Sequence, residues 1–172
     1  QRQMCIRDSR TSLVYERMDA ALNGHRYAKS AIDVACWDLM GKAYDERVCD
    51  LLGGTEHRTV RSYYGVMPNT ASRTAEAAKK KEGEGYDRIQ VKAGGRPLAD
   101  DIATVRAVAD ALSPATRLLV DPNRGWTARD TIEFSVACGD IPLTIEQPCR
   151  TYDEHARIAA KLHHPLFLDE ST

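Results

Sequence analysis

The feature that most limits the fold is an alternation of strand-like and helix-like segments that begins near residue 59. Five apolar runs read as strands: VRSYYGV (60–66), RIQVKAG (88–94), RLLVDPN (117–123), PLTIEQP (142–148) and PLFLDE (165–170). They start 28, 29, 25 and 23 residues apart. Helical periodicity fills the gaps. In LADDIATVRAVADAL, Leu98, Ile102, Val105, Ala109 and Leu112 form one apolar stripe, and Asp100 and Asp101 stand in the first turn, where they complement the helix dipole. Segments 72–84, 127–138 and 152–162 read similarly, with Thr127 and Thr151 as N-caps.

A unit of this length repeats by joining parallel strands through helical crossovers. An open doubly wound sheet and a (β/α)8 barrel both satisfy that rule. No glycine-rich phosphate fingerprint follows any strand, which weakens the nucleotide-binding open sheet. The fold class is therefore read as α/β, a partial (β/α)8 TIM-type barrel of about five strands, covering residues 59–172 and truncated at the C-terminus. Five strands would leave two open edges, an aggregation hazard for the isolated chain, which is expected to be an inactive fragment.

Upstream, RYAKSAIDVACWDLMGKA (26–43) predicts a helix with Ala28, Ile32, Ala35, Leu39 and Ala43 on one face and Cys36 and Met40 beside them. LLGG (51–54) ends a short second helix with a left-handed cap. Trp37 and Tyr27 are read as packing residues, His163-His164 as a loop, and KKKEGEG (79–85) as a solvated helix end. Residues 1–9 (QRQMCIRDS) have no amphipathic period and no signal-peptide core. They read as a non-native tail resembling the translated end of a sequencing adapter, with an ordinary N-terminal tail as the alternative.

The 172 residues carry a formal net charge of −1, so no field exists to gather nucleic acid, and no run approaches the roughly 18 apolar residues of a membrane span. No nucleic-acid or membrane partner is expected. The five cysteines (Cys5, Cys36, Cys49, Cys138, Cys149) show no CxxC spacing, which favours free thiols and a cytoplasmic location.

In a barrel, the C-terminal strand ends converge on the face that holds the chemistry. Those positions carry Lys92, Asp121, Glu146 and Asp169 from four successive strands. Three carboxylates aimed at a common point repel one another unless a cation lies between them. Oxygen donors without histidine or cysteine suit a hard ion, Mg2+ first and Mn2+ next. Beside such an ion the Lys92 ammonium becomes easier to deprotonate, so that its neutral amine can act as a base. Metal plus lysine suggests removal of the α-proton of a carboxylate substrate through a metal-stabilised enediolate. Lys92 could instead form a Schiff base, with the acids as proton shuttles, and a noncatalytic scaffold could retain the same fold.

SAIDVACWDLMGKA, LLGG, IQVKAGG, VDPNRGW, IEQP and LDES together resemble the enolase superfamily, in its mandelate racemase and muconate lactonizing enzyme branch, over roughly residues 24–172. The resemblance implies that Lys92 is the catalytic lysine of the second barrel strand, and that Asp121, Glu146 and Asp169 bind metal. It makes Asn123 a polar neighbour of that site and residues 10–58 the end of a capping domain with its linking helix. Where the muconate lactonizing subgroup commonly has Lys-x-Lys, this chain has Gln90, which could hydrogen-bond substrate. The family's opposite-face lysine is expected beyond Thr172. GHRYAKSAIDVACWDLMGKA and IEQPC are similar to branches acting on proline derivatives, the hydroxyproline dehydratases and proline-betaine epimerases. The implied activity is a Mg2+-dependent racemase, epimerase or dehydratase acting on a small carboxylate, with dipeptide epimerase and sugar-acid dehydratase as alternatives. The full-length parent is expected to be a homo-oligomer.

Overall fold

The computed structural model describes residues 11–57 and 59–172, so the tail expected over residues 1–9 and Cys5 lie outside the described residues. The chain divides into two compact units, Gln1–Val60 and Arg61–Thr172.

The described part of the first unit is helical: α1 (Thr11–Ala21), α2 (Arg26–Tyr44) and α3 (Val48–Leu51). The extent of α2 matches the 26–43 pattern to within one residue. Its expected apolar face does not form a core: α2 buries only Lys29 and Gly41, while Ile32 is 49% and Leu39 60% exposed. Tyr27 is 87% exposed, which removes the packing role read for it; Trp37 is half-buried. What α2 buries is instead a polar tie and a close contact. Lys29 Nζ meets Asp19 of α1 at 2.6 Å. A Cβ on Gly41 would stand 2.8 Å from the Glu46 carbonyl oxygen. After α3 the two glycines of LLGG take the expected left-handed backbone (φ 108° and 92°), and the Gly54 N–H donates to the Cys49 carbonyl at 2.8 Å.

The second unit is a five-stranded parallel sheet in sequential order: β1 (Tyr64–Val66), β2 (Arg88–Lys92), β3 (Arg117–Asp121), β4 (Leu143–Glu146) and β5 (Leu166–Phe167). Between strands run α4 (Ala71–Gly83), α5 (Leu98–Ala111), α6 (Ala128–Ala137) and α7 (Tyr152–Ile158), the last continued by a 3-10 turn at Ala159–Lys161. Thr127 and Thr151 each close a capping box, with Asp130 and Glu154 respectively. The solvated helix end read at 79–85 holds for Lys79 and Lys80, but Glu82 reaches out to bind the Ser113 N–H and the Thr116 hydroxyl.

Strand periodicity sorts the side chains into two faces. Ile89 and Val91 of β2 lie in register with Leu118 and Val120 of β3, and these with Leu143 and Ile145 of β4. All six are buried and pack with Val105 and Val108 of α5, Phe134 of α6 and Cys138, which caps α6. The alternate positions, Gln90 and Lys92, Asp121, and Glu146, therefore share the opposite face. Lys92 pairs directly with Asp121 in the ladder. No described helix is long and apolar enough to cross a membrane. The architecture is an α/β partial barrel of the expected kind.

Candidate active site

Three strand ends build the site. Lys92, the last residue of β2, places its Nζ against the Asp121 carboxylate at the end of β3 and donates to Asn123 Oδ1 at 3.1 Å. Asn123 is brought there by a tight turn. It adopts φ 44°, Arg124 follows at φ 65°, and the Asn123 N–H donates to Asp121 Oδ1 at 2.8 Å. Asparagine tolerates this left-handed backbone better than most residues. Behind the lysine, the buried Gln90 amide bridges two acids, donating to Asp121 Oδ2 at 3.3 Å and to Glu146 Oε2 at 2.5 Å.

These carboxylates are held close at an electrostatic cost. Burial raises the Glu146 pKa above its ordinary value, and the charges of Asp121 and, more weakly, Asp169 push the same way; the Gln90 hydrogen bond and Lys92 oppose them. Five of the six residues expected from sequence, Gln90, Lys92, Asp121, Asn123 and Glu146, are thus connected in one network. Asp169 is not part of it. β5 ends at Phe167, Asp169 is exposed two residues beyond, and its backbone N–H is fixed by Gln147 Oε1 at 2.8 Å. Among the described residues no three His, Cys, Asp or Glu side chains gather as a set able to hold a metal ion. Asp121 and Glu146 both meet the Gln90 amide, and each raises the electrostatic cost of the other. Their all-oxygen, mutually repelling donors fit a hard divalent cation.

The structure also brings in residues to which the sequence reading gave no such role. Gln147, fully buried at φ 36°, accepts hydrogen bonds from Asp169 and Ser171 through Oε1 and donates to the Cys149 carbonyl. Asp101, expected to act as a dipole partner in the first turn of α5, is buried and hydrogen-bonded to Gly94, Arg96 and Trp126. A signal existed for it, because Asp101 lies at i−4 and i−7 from the buried Val105 and Val108. His164 stands in a loop, as read, and is buried there. It accepts from Ser135 at 2.9 Å and donates to backbone carbonyls of Cys138 and Ile141. A concavity of about 960 Å3 runs along the Gln90–Glu146 face toward Arg88 and Arg117 at the strand starts. Lys92 and Asp121 do not line it.

Comparison with known proteins fits this arrangement. Residues 73–172 match the family described as enolase C-terminal domain-like, and residues 5–53 match the mandelate racemase / muconate lactonizing enzyme N-terminal domain. The chain belongs to the mandelate racemase/muconate lactonizing enzyme branch of the enolase superfamily. It is 39% identical over 153 residues to the cis-3-hydroxy-L-proline dehydratase of Roseibium aggregatum, covering 89% of this chain and 41% of that protein. The crystal structure of N-succinyl Arg/Lys racemase from Bacillus cereus superposes with a TM-score of 0.88 at 27% identity, over 95% of this chain and 45% of the other. An enolase superfamily member from Roseovarius nubinhibens, complexed with magnesium, gives 0.82 at 34% identity, over 95% and 44%. The chain thus spans less than half the length of the relatives it matches. These enolase superfamily relatives include a dehydratase and a racemase.

Proposed function

We propose that this chain carries the first catalytic base and the metal ligands of a racemase, epimerase or dehydratase that removes the α-proton of a small carboxylate, with a proline derivative as the favoured substrate. The observation that carries the reading is the placement of Lys92 Nζ, which lies at a strand end against Asp121 and Asn123, two residues along β2 from the Gln90 bridge to Glu146.

In this reading Asp121 and Glu146 hold Mg2+, with Asp169 brought in from the loop after β5, and the bound ion supplies positive charge for the substrate carboxylate. Every other part belongs to the chain. Asp121 and Asn123 orient the lysine so that its amine, once neutral, faces the α-carbon. The C–H bond breaks, its proton passes to Nζ, and the electron pair delocalises into the adjacent carboxylate. Return of a proton to the opposite face gives epimerisation. Departure of a β-hydroxyl together with a proton, as water, gives dehydration. Gln90 ties the two acids to one amide without adding a second cation. Because it is almost wholly buried, it serves the acids more directly than a substrate. The 39% identity to a hydroxyproline dehydratase supports the choice of substrate class.

The test is α-proton exchange in D2O by the full-length parent, across cis-3-hydroxy-L-proline and other proline derivatives with Mg2+ present. The wild-type protein is expected to exchange. Lys92→Ala is expected to lose about 10²–10⁴-fold, the usual worth of a positioned base. Exchange at the wild-type rate in Lys92→Ala would remove the lysine from the chemistry.

A further inference from the structure

We infer that Asp101 is the positioning residue for Lys92: its carboxylate joins the loops after β2 and β3, and Arg96 extends the tie to the loop after β1. Together they fix the strand end from which the lysine amine reaches Asp121 and Asn123. The inference rests on the function proposed above for the significance of Lys92, but the geometry stands without it.

Asp101 lies in the first turn of α5, yet it is fully buried. Its Oδ2 accepts two hydrogen bonds from two different loops. One comes from the Gly94 N–H at 2.9 Å, two residues after Lys92; the other from the Trp126 indole N–H at 3.0 Å, five residues after Asp121. Its Oδ1 accepts from Arg96 Nε at 2.5 Å. The same guanidinium reaches the Asn69 carbonyl in the loop before α4 at 3.0 Å and the Thr104 hydroxyl at 2.9 Å. A buried carboxylate is tolerable only when its charge and lone pairs are matched in this way.

The two loops that meet at Oδ2 also touch along their backbones. A Cβ on Gly94 (φ 79°) would stand 2.8 Å from the Pro122 carbonyl oxygen and 3.2 Å from Gly125 Cα. A Cβ on Gly125 would meet the same oxygen at 2.8 Å and Gly94 Cα at 3.1 Å. The β2 ladder continues into this contact, with the Ala93 N–H donating to the Asp121 carbonyl at 3.0 Å. The two residues that follow Lys92 are therefore both fixed, Ala93 by a ladder bond and Gly94 by the Asp101 carboxylate. The Lys92 side chain itself is partly open to solvent, so the amine depends on Asp121 and Asn123 for its direction, and the clamp sets the height at which the end of β2 delivers it to them. Removing the indole N–H or the anionic acceptor frees the loop that directly follows Lys92.

The experiment measures the reactivity of the Lys92 amine, in the 172-residue chain itself, by reductive methylation at fixed pH and site-resolved mass spectrometry. The exposed Lys79 and Lys80 serve as internal references. Asp101→Asn is expected to raise the Lys92 rate about tenfold, as local opening becomes easier. Trp126→Phe keeps an aromatic ring against Phe134 and loses one hydrogen bond, so about threefold is expected. Ser135→Ala, which disturbs the distant His164 network, is expected to lower the melting temperature without altering Lys92. In the full-length parent the same two site variants should lower kcat with little change in KM, and raise the primary isotope effect on α-deuterated cis-3-hydroxy-L-proline. Folded Asp101→Asn and Trp126→Phe proteins with unchanged Lys92 labelling would overturn the inference, whatever the Lys92→Ala exchange assay says of the reaction. Should Asp101→Asn fail to fold, Trp126→Phe decides alone.

Discussion

The two units of this chain use helices in opposite ways. In the second unit α5 contributes Asp101, Thr104, Val105 and Val108 to a continuous interior, and α6 contributes Thr131, Phe134 and Ser135. In the first, the 19-residue α2 buries two residues and α1 none. Both α2 and α5 carry apolar residues at helical spacing. The difference is that α5 packs on a sheet whose strands pair with one another in register, while the apolar positions of α2 meet no comparable surface among the described residues of its own unit. Periodicity specifies which face of a helix is apolar; burial requires a second element to receive it.

The largest expected effect sharpens this contrast. Phe134 of α6 is fully buried and its ring stands 4.6 Å, centroid to centroid, from that of Trp126. Phe134→Ala removes a large ring from a close-packed interior and is expected to cost the second unit about 3–5 kcal/mol. Urea unfolding followed by Trp126 fluorescence in a Trp37→Phe background would read it. A loss below about 1 kcal/mol would mean that the helix layer over the sheet is far looser than its burial implies.

What the sequence made legible follows the same division. Strand order, the two faces of each strand and the caps at Thr127 and Thr151 depend on near neighbours and on a period of two, and they were readable. So was the meeting of Lys92 and Asp121, because equal steps along parallel strands carry residues to the same level of the sheet. Asp169 shows where this reasoning stops. PLFLDE promised a strand through residue 170 with Asp169 at its end, but pairing ends at Phe167 and the carboxylate follows the loop that Gln147 anchors. Asp101 was legible as acidic and helical, and its spacing from Val105 and Val108 placed it on the buried face, but its partners were not legible. Its three partners lie in two loops whose approach depends on Gly94 and Gly125 touching, a contact with no periodic trace. The exposed α2 stripe is the converse case, a correct helix whose apolar face the pattern could locate without saying what, if anything, would cover it.

A smaller effect tests the second unit from its surface. Glu82 sits at the end of α4 with Lys79 beside it, and it accepts hydrogen bonds from the Thr116 hydroxyl and the Ser113 N–H at 2.6 and 2.7 Å. The lysine, the hydroxyl and the N–H together hold its pKa at about 2, against 4.5 for the free side chain. Because the folded value is the lower one, the stabilisation is complete above about pH 4.5 and fades as pH falls toward 2. Glu82→Gln is therefore expected to flatten the dependence of stability on pH within that window and leave the slope above it unchanged. A wild-type slope retained in Glu82→Gln would assign the acid sensitivity to other carboxylates.

The smallest expected effect is the sharpest challenge to the contrast itself. Leu39 lies on the apolar stripe of α2 and is 60% exposed. Leucine and alanine differ little in helix propensity, and a mostly exposed side chain has little apolar area to lose. Leu39→Ala is expected to shift stability by no more than about 0.5 kcal/mol, as is usual for surface changes away from special contacts. Circular dichroism across a urea titration measures it, with Ile32→Ala as a second point on the same face. A loss of about 2 kcal/mol at both sites would show that the stripe is covered in solution. The two units would then differ in what lies over their helices, and the apolar period of α2 would have been an accurate guide to burial after all.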